Sequence, residues 1–320
     1  MKKTIIAAAI SAAVAAPAAF ADVKISGMIN PEFTDNTETT AANTGGTTAS
    51  VNTDLVFSGS EDLGNGLTAS FKYHTFHDDG TDATADMSVS LSGDFGTVAV
   101  GRMEPFIEAK ADAFLSVDAS HDLDVEDDRR DIGRANGAIA YVSPNMNGLT
   151  IGVAAVAGAS QLGGASTETA AANTDDYDVT DIYVQYSAGG LTVFADQAKQ
   201  EGATNADATT ITAYGIGYKM GDLEARALHR TVENGVNNGG ADDEDMTSKG
   251  IALKYTMGSN TLAIAHNKFS DDAAGVADYK ETLVSVSHAM SKRTSVYLAR
   301  QNNDATGDEN QTLVGIKHTF

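Results

Sequence analysis

Beyond residue 21 the chain runs almost entirely in period two. Tyr214, Ile216 and Tyr218 alternate with Ala213, Gly215, Gly217 and Lys219. Ile251, Leu253, Tyr255 and Met257 alternate with Ala252, Lys254 and Thr256. Leu67, Ala69, Phe71 and Tyr73 alternate with Thr68, Ser70, Lys72 and His74. In the last segment Val314, Ile316 and Phe320 share one face, with Leu313, Gly315, Lys317 and Thr319 on the other. Successive side chains of a strand point to opposite faces, so each segment predicts a strand with one apolar and one polar face. Sixteen such segments start near Val23, Val51, Leu67, Ala85, Thr97, Asn136, Leu149, Val179, Leu191, Thr209, Leu223, Thr247, Thr261, Lys280, Thr294 and Asn310.

The connections alternate too. One set is short and rich in Gly, Asn and Asp: Asp62 to Gly66, Gly93 to Gly96, Asn145 to Gly148, Gly189-Gly190, Gly221-Asp222 and Gly258-Ser259. These residues accept the positive φ that tight hairpins need. The other set is long and polar, as in Thr34 to Ala49, Glu104 to Gly133, Ala159 to Asp178, Glu233 to Asp245 and Asp271 to Asp278. Short turns on one rim and long loops on the other predict an all-β, transmembrane, antiparallel up-and-down barrel of 16 strands. Hydrocarbon offers no partner to a backbone N–H or C=O, so a membrane-spanning sheet must close on itself. A soluble sandwich would fill its inner faces with bulky apolar residues. Here those faces carry Lys, Ser, Thr, His and Gln, which suits a water-filled lumen.

Residues 1–21, MKKTIIAAAISAAVAAPAAFA, read as a secretory signal peptide. Lys2 and Lys3 form a basic start, Ile5 to Val14 a short apolar core, and Ala19-Phe20-Ala21 a cleavage site after the helix-breaking Pro17. The apolar core is too short for a membrane helix. The expected organisation is 1–21 as a cleaved leader and 22–320 as one barrel domain.

Composition narrows the function further. The chain holds 44 acids against 21 bases, a net charge of −23, and no cysteine. Losing Lys2 and Lys3 with the leader makes it more acidic still. Nucleic acid is a poor partner for such a chain, and disulfides and thiolate metal sites are absent by composition.

Several stretches resemble the trimeric general porins of Gram-negative outer membranes. Gly59-Ser60-Glu61-Asp62-Leu63-Gly64-Asn65-Gly66-Leu67 is similar to that family's first periplasmic turn. Ser90 to Val98 with Gly101-Arg102 resembles the next turn and the strand that leads to its third loop, and Arg134 to Pro144 resembles the strand that leaves it. Val23 to Gly27 looks like the first strand. Val314, Ile316 and the terminal Phe320 resemble the strand read by the barrel-assembly machinery, although His318 stands where an apolar or aromatic residue is usual. With no tryptophan in the chain, aromatic girdles must be built from Tyr and Phe.

The resemblance implies a passive channel in the outer membrane for ions and small hydrophilic solutes. It also implies a homotrimer embedded in outer-membrane lipid and lipopolysaccharide. Small residues such as Gly152 and Ala154 are expected on outer walls, where they would permit close packing of copies. Finally, the resemblance implies that the third loop, Glu104 to Gly133, folds into the lumen and narrows it. Loop carboxylates Glu104, Glu108, Asp112 and Asp118 would then face Arg102, Arg129, Arg130 and Arg134. Opposed fixed charges across a narrow lumen select by charge and size without a binding pocket. The acid excess predicts a preference for cations.

Other chemistries fit less well. Asp122-x-Asp124-x-Glu126 lacks the Gly and the terminal Glu of a calcium loop. Gly215-x-Gly217 lacks a third glycine and a following helix. No HExxH accompanies His74 and His77, and no nucleophile motif marks Ser287, His266 or His288. No cofactor, metal or catalytic residue is therefore assigned. A surface adhesive barrel and a solute-specific channel remain as alternatives.

Overall fold

The computed structural model describes residues 22–36, 46–78, 81–116, 132–156, 179–201, 208–236, 243–271, 277–304 and 310–320. The leader 1–21 lies outside them. The first eight strands are β1 (Asp22–Asn36), β2 (Gly46–Gly64), β3 (Leu67–Asp78), β4 (Thr81–Gly93), β5 (Gly96–Met103), β6 (Ala135–Val142), β7 (Leu149–Val156) and β8 (Val179–Ala188). The second eight are β9 (Leu191–Gln200), β10 (Thr209–Met220), β11 (Leu223–Val236), β12 (Asp243–Met257), β13 (Asn260–Asp271), β14 (Tyr279–Ala289), β15 (Thr294–Asn303) and β16 (Gln311–Thr319). One helix, α1 (Phe106–Leu115), follows β5.

Each strand pairs antiparallel with its sequence neighbours, and β16 closes on β1, so the sheet has no free edge. At the seam Phe33 stands opposite Val314 and Met28 opposite Thr319. Phe320 completes it: its N–H donates to the Gly27 carbonyl at 3.0 Å, and Gly27 N–H donates back at 3.2 Å. His318 is accommodated by a 2.9 Å hydrogen bond between its Nδ1 and Thr294 Oγ1.

The alternation read from sequence is the alternation of the wall. Ile216, Ile251, Leu253, Ile264, Val284, Leu298 and Val314 are exposed on the outer surface. Together they form the apolar belt that hydrocarbon requires. Tyr186, Tyr218 and Tyr255 are exposed within a few residues of the short turns, a girdle made without tryptophan. The turn Gly64-Asn65-Gly66 has φ values of 78°, 53° and 76°, and Asp62 Oδ1 accepts the Gly64 N–H at 2.8 Å. That left-handed run explains why only Gly and Asn stand there.

Strands that follow short turns begin within one residue of their predicted starts. Several that follow long loops begin earlier: β2 at Gly46 rather than Val51, β4 at Thr81 rather than Ala85, and β12 at Asp243 rather than Thr247. About 9–11 residues suffice to cross hydrocarbon, whereas β2 has 19 residues and β12 has 15. Beyond the membrane the ladder continues, but neither face has to be apolar, so periodicity is silent there.

One expectation is corrected. Gly152 and Ala154 do not form an outer packing face. Val153 is exposed on the outside, and Gly152 faces inward opposite Tyr183. A Cβ on Gly152 would lie 2.0 Å from Tyr183 Cε1. The position is small because the Tyr183 ring lies across it.

Candidate functional site

The segment after β5 turns at Pro105 and forms α1. Ile107, Ala111, Phe114 and Leu115 are buried along one stripe, the spacing of an amphipathic helix. This stripe packs on the face of β8–β12 opposite the apolar belt, which places α1 against the inner wall. The wall is shaped for it. A Cβ on Gly215 would lie 2.8 Å from Phe114 Cε1, and one on Gly250 would lie 2.7 Å from the Leu115 side chain. Phe114 meets Phe194 edge-on at 4.7 Å, and Phe106 meets Tyr183 at 4.8 Å.

Polar clamps fix both ends of the helix. Pro105 has no side-chain oxygen to cap it. Asp181 on β8 does so instead, its Oδ2 accepting the Ile107 N–H at 3.2 Å. At the far end the Arg226 guanidinium donates to the Ala113 carbonyl. Acid at the N-terminus and base at the C-terminus both complement the helix dipole. Lys110 Nζ donates to Gln185 Oε1 at 2.8 Å and sits 4.6 Å above the Tyr183 ring. Burial lowers the Lys110 pKa, and the nearby Asp196 carboxylate opposes that shift.

A charged cluster is built from β2–β5 and the residues flanking the loop. Lys72 Nζ lies 2.6 Å from Asp86 Oδ2, and His74 Nε2 lies 3.2 Å from Asp54 Oδ1. Arg134 bridges two acids, with Nη2 2.6 Å from Glu104 Oε1 and Nε 3.5 Å from Asp86 Oδ1. Burial pushes the Glu104 carboxyl above the usual carboxylate range. Arg134 pulls it back, while Asp112 and Asp86 push it further up. Fixed charges of both signs therefore stand together beside a water-accessible lumen. On the short-turn side of α1 that lumen includes an open space of about 510 Å³ bordered by Phe114, Thr192, Lys219, Glu224 and Arg226.

The expected constriction residues separate into groups. Glu104, Asp112 and Arg134 meet in the charged cluster. Arg102 adjoins it as a strut: Nε donates to the Thr84 carbonyl at 3.0 Å and Nη1 to the Arg134 carbonyl at 3.2 Å. Glu108 closes the loop on itself, its Oε1 accepting the Gly133 N–H at 2.8 Å. Asp118, Arg129 and Arg130 lie outside the described residues. Sequence reasoning passed over Asp54 and Asp86, read Lys72 as a polar-face residue, and weighed His74 as that and, with His77, as a zinc ligand. Their signal was the alternation itself, which puts all four on the inner face.

Comparison with known proteins agrees with this architecture. The family description "Gram-negative porin" matches residues 7–308. The chain is 27% identical to outer membrane porin protein 32 of Delftia acidovorans, over all of both chains. Its fold is similar to that of an anion-selective porin from Comamonas acidovorans, with a TM-score of 0.78, 21% identity, and 94% and 100% of the two chains covered. It is also similar to the trimer form of OmpT, an outer membrane protein of Vibrio cholerae, with a TM-score of 0.70, 14% identity, and 94% and 99% covered.

Proposed function

The chain belongs to the Gram-negative porins and is an outer-membrane channel; from that premise we propose that it passes ions and small hydrophilic solutes passively, with a preference for cations. The observation that carries the passive reading is the wall itself. Its inner face is polar, and its charges are paired across strands rather than gathered around one ligand-sized pocket. A solute crossing here exchanges water for fixed dipoles and charges of both signs.

Cation preference rests on the acid excess of the whole chain and on the cluster. There Asp54, Asp86, Glu104 and Asp112 match Lys72, His74, Arg102 and Arg134, and His74 carries charge only when protonated. A second reading, anion preference, is favoured by the similarity to the anion-selective porin from Comamonas acidovorans. Reversal potential across a KCl gradient, measured with purified protein in a planar bilayer at low salt, separates the two. An anion-selective sign overturns the first reading, and absence of conductance overturns both.

The remaining readings belong to the same proposal. Residues 1–21 are removed after Ala21, which N-terminal sequencing of the outer-membrane protein tests. Asp118, Arg129 and Arg130 line the constriction with Glu104 and Arg134, so Arg129→Ala with Arg130→Ala shifts the reversal potential further toward cations. The assembly is a homotrimer, a form that OmpT of Vibrio cholerae also takes. Native mass measurement giving monomer alone removes it. Val314 and Ile316 on β16 and Phe320 just beyond it are exposed, where the barrel-assembly machinery reads them. Phe320→Ala lowers the amount of assembled barrel in the outer membrane.

A further inference from the structure

Four of the short turns carry a methionine, all at the same end of the barrel. The chain holds nine methionines and no cysteine, so thioethers are its only sulfur groups. Tyr218-Lys219-Met220-Gly221 ends β10, and Tyr255-Thr256-Met257-Gly258 ends β12. The two turns are built alike, with φ of 59° at Gly221 and 60° at Gly258. Each of these methionines falls on the outer face of its strand, two residues beyond a girdle tyrosine. Met290 follows β14 in the same way, two residues beyond the exposed His288, and Met146 stands in the turn between β6 and β7. Met220 and Met290 are 63% exposed, and Met257 and Met146 are 44% exposed.

The other methionines are placed differently. Met28 and Met246 are buried, and Met103 packs against the apolar cluster that holds α1. Met87 is 50% exposed, but it lies in the middle of β4, opposite Tyr73 and on the face that carries Val89 and Leu91. That surface meets hydrocarbon. Girdle aromatics sit where hydrocarbon gives way to water, and a strand rises about 3.3 Å per residue. A side chain two residues past the girdle therefore stands on the water side of the membrane edge, whereas Met87 stands inside it. The exposures are similar, but only the turn methionines meet water. Leucine would supply the same apolar surface at the turns, without a polarisable sulfur that oxidants attack.

We propose that the four turn methionines form a site of reversible oxidation, an oxidant sink on the short-turn rim, with hypochlorous acid as the oxidant. The thioether sulfur attacks the chlorine, and hydroxide leaves. Water then adds to sulfur, chloride departs, and two protons are released, one of which neutralises the hydroxide. Sulfur loses two electrons to become the sulfoxide, and the chlorine is reduced to chloride. Two thiols, acting through a methionine sulfoxide reductase, reverse the step and yield thioether, disulfide and water. Met220 and Met257 face away from the lumen, so their gain in polarity leaves the field of the channel untouched. The inference rests on the membrane placement but not on the ion selectivity of the lumen.

The test titrates the mature protein in phosphatidylcholine bilayers with small increments of hypochlorous acid. Peptide mass spectrometry reads the gain of oxygen at each methionine, and conductance is followed on the same samples. Peptides carrying Met146, Met220, Met257 and Met290 lose their unmodified form first, while those carrying Met87 and Met246 keep it at the same dose. In protein unfolded by urea that order disappears. Methionine sulfoxide reductases for both sulfoxide epimers, with dithiothreitol, then return the rim to the thioether. Met146→Leu, Met220→Leu, Met257→Leu and Met290→Leu together keep the apolar volume and remove the sulfur. In that variant Met103 is oxidised, and conductance changes, at a lower dose than in the wild type. Conversion of Met87 or Met246 in step with the rim overturns the site. A variant whose Met103 reacts no sooner than in the wild type overturns the sink. Conductance that changes in step with rim oxidation in the wild type overturns its separation from the channel.

Discussion

The wall of β8–β12 that faces α1 presents Gly215 and Gly250 beneath the Phe194 ring and the Leu115 side chain. The wall of β2–β4 presents Asp54, Lys72, His74 and Asp86 instead. Both walls use strands of the same period, and both keep the same apolar outer face. They differ only in what fills the inward positions. Small inward residues create a seat, and buried apolar contact then holds a helix inside an otherwise wet lumen. Charged inward residues leave the space open and set its field. Anchoring therefore leans on the glycine seat of β8–β12, while the β2–β4 wall is given over to charge.

The sharpest way to break this separation is to empty the seat. Phe114→Ala with Leu115→Ala removes the two largest side chains of the buried stripe, at a cost of about 2–5 kcal/mol each for truncation in a packed site. We expect current noise and protease sensitivity at α1 to rise, with the reversal potential moving only secondarily. Quiet, unchanged single-channel traces would contradict the seat.

A charge change on the other wall has a smaller effect of a different kind. Glu104→Gln leaves Arg134 with Asp86 alone and shifts the reversal potential toward anions. One unit charge about 4 Å from a passing ion is worth about 1 kcal/mol in water, roughly fivefold in ion ratio, and less as salt rises. Arg134→Gln shifts it toward cations. Neither change should alter the noise.

Next in size is the clamp. Asp181→Ala takes away the acceptor at Ile107 N–H, worth roughly 0.5–2 kcal/mol for a lost helix cap. Gating noise should increase modestly, and the increase should be weaker than that of the double truncation.

The smallest effect comes from pH. Burial holds the Glu104 carboxyl above the ordinary carboxylate range, so it takes up a proton at a higher pH than a solvated carboxylate does. Protonation removes a negative charge, so the reversal potential should move toward anions as pH falls through that range. Glu104→Gln should abolish that step, and a step that persists in the variant would assign it to another group.

The seat was not legible in the sequence. Gly215 and Gly217 read there only as a failed dinucleotide motif, because a glycine on a strand does not announce which ring will lie across it. Glu108 and Arg102 were grouped with the constriction on loop position alone. Yet one carboxylate caps its own loop, and the guanidinium spends its donors on backbone carbonyls. A charged residue near a pore keeps its charge whatever accepts its hydrogen bonds, but those partners decide where the group stands, and they come from strands distant in sequence.

What the sequence determined by itself was the closed barrel: its strand count, its inside and outside, and which rim carries short turns. Hydrocarbon on one face and water on the other impose a pattern at every second residue, and that pattern survives without knowledge of any contact. The tertiary structure alone decided where α1 docks and which charges meet at Arg134. These are matters of register and of approach between segments distant in the chain. A two-residue period fixes the face of each side chain but says nothing about which residue of the neighbouring strand will lie beside it.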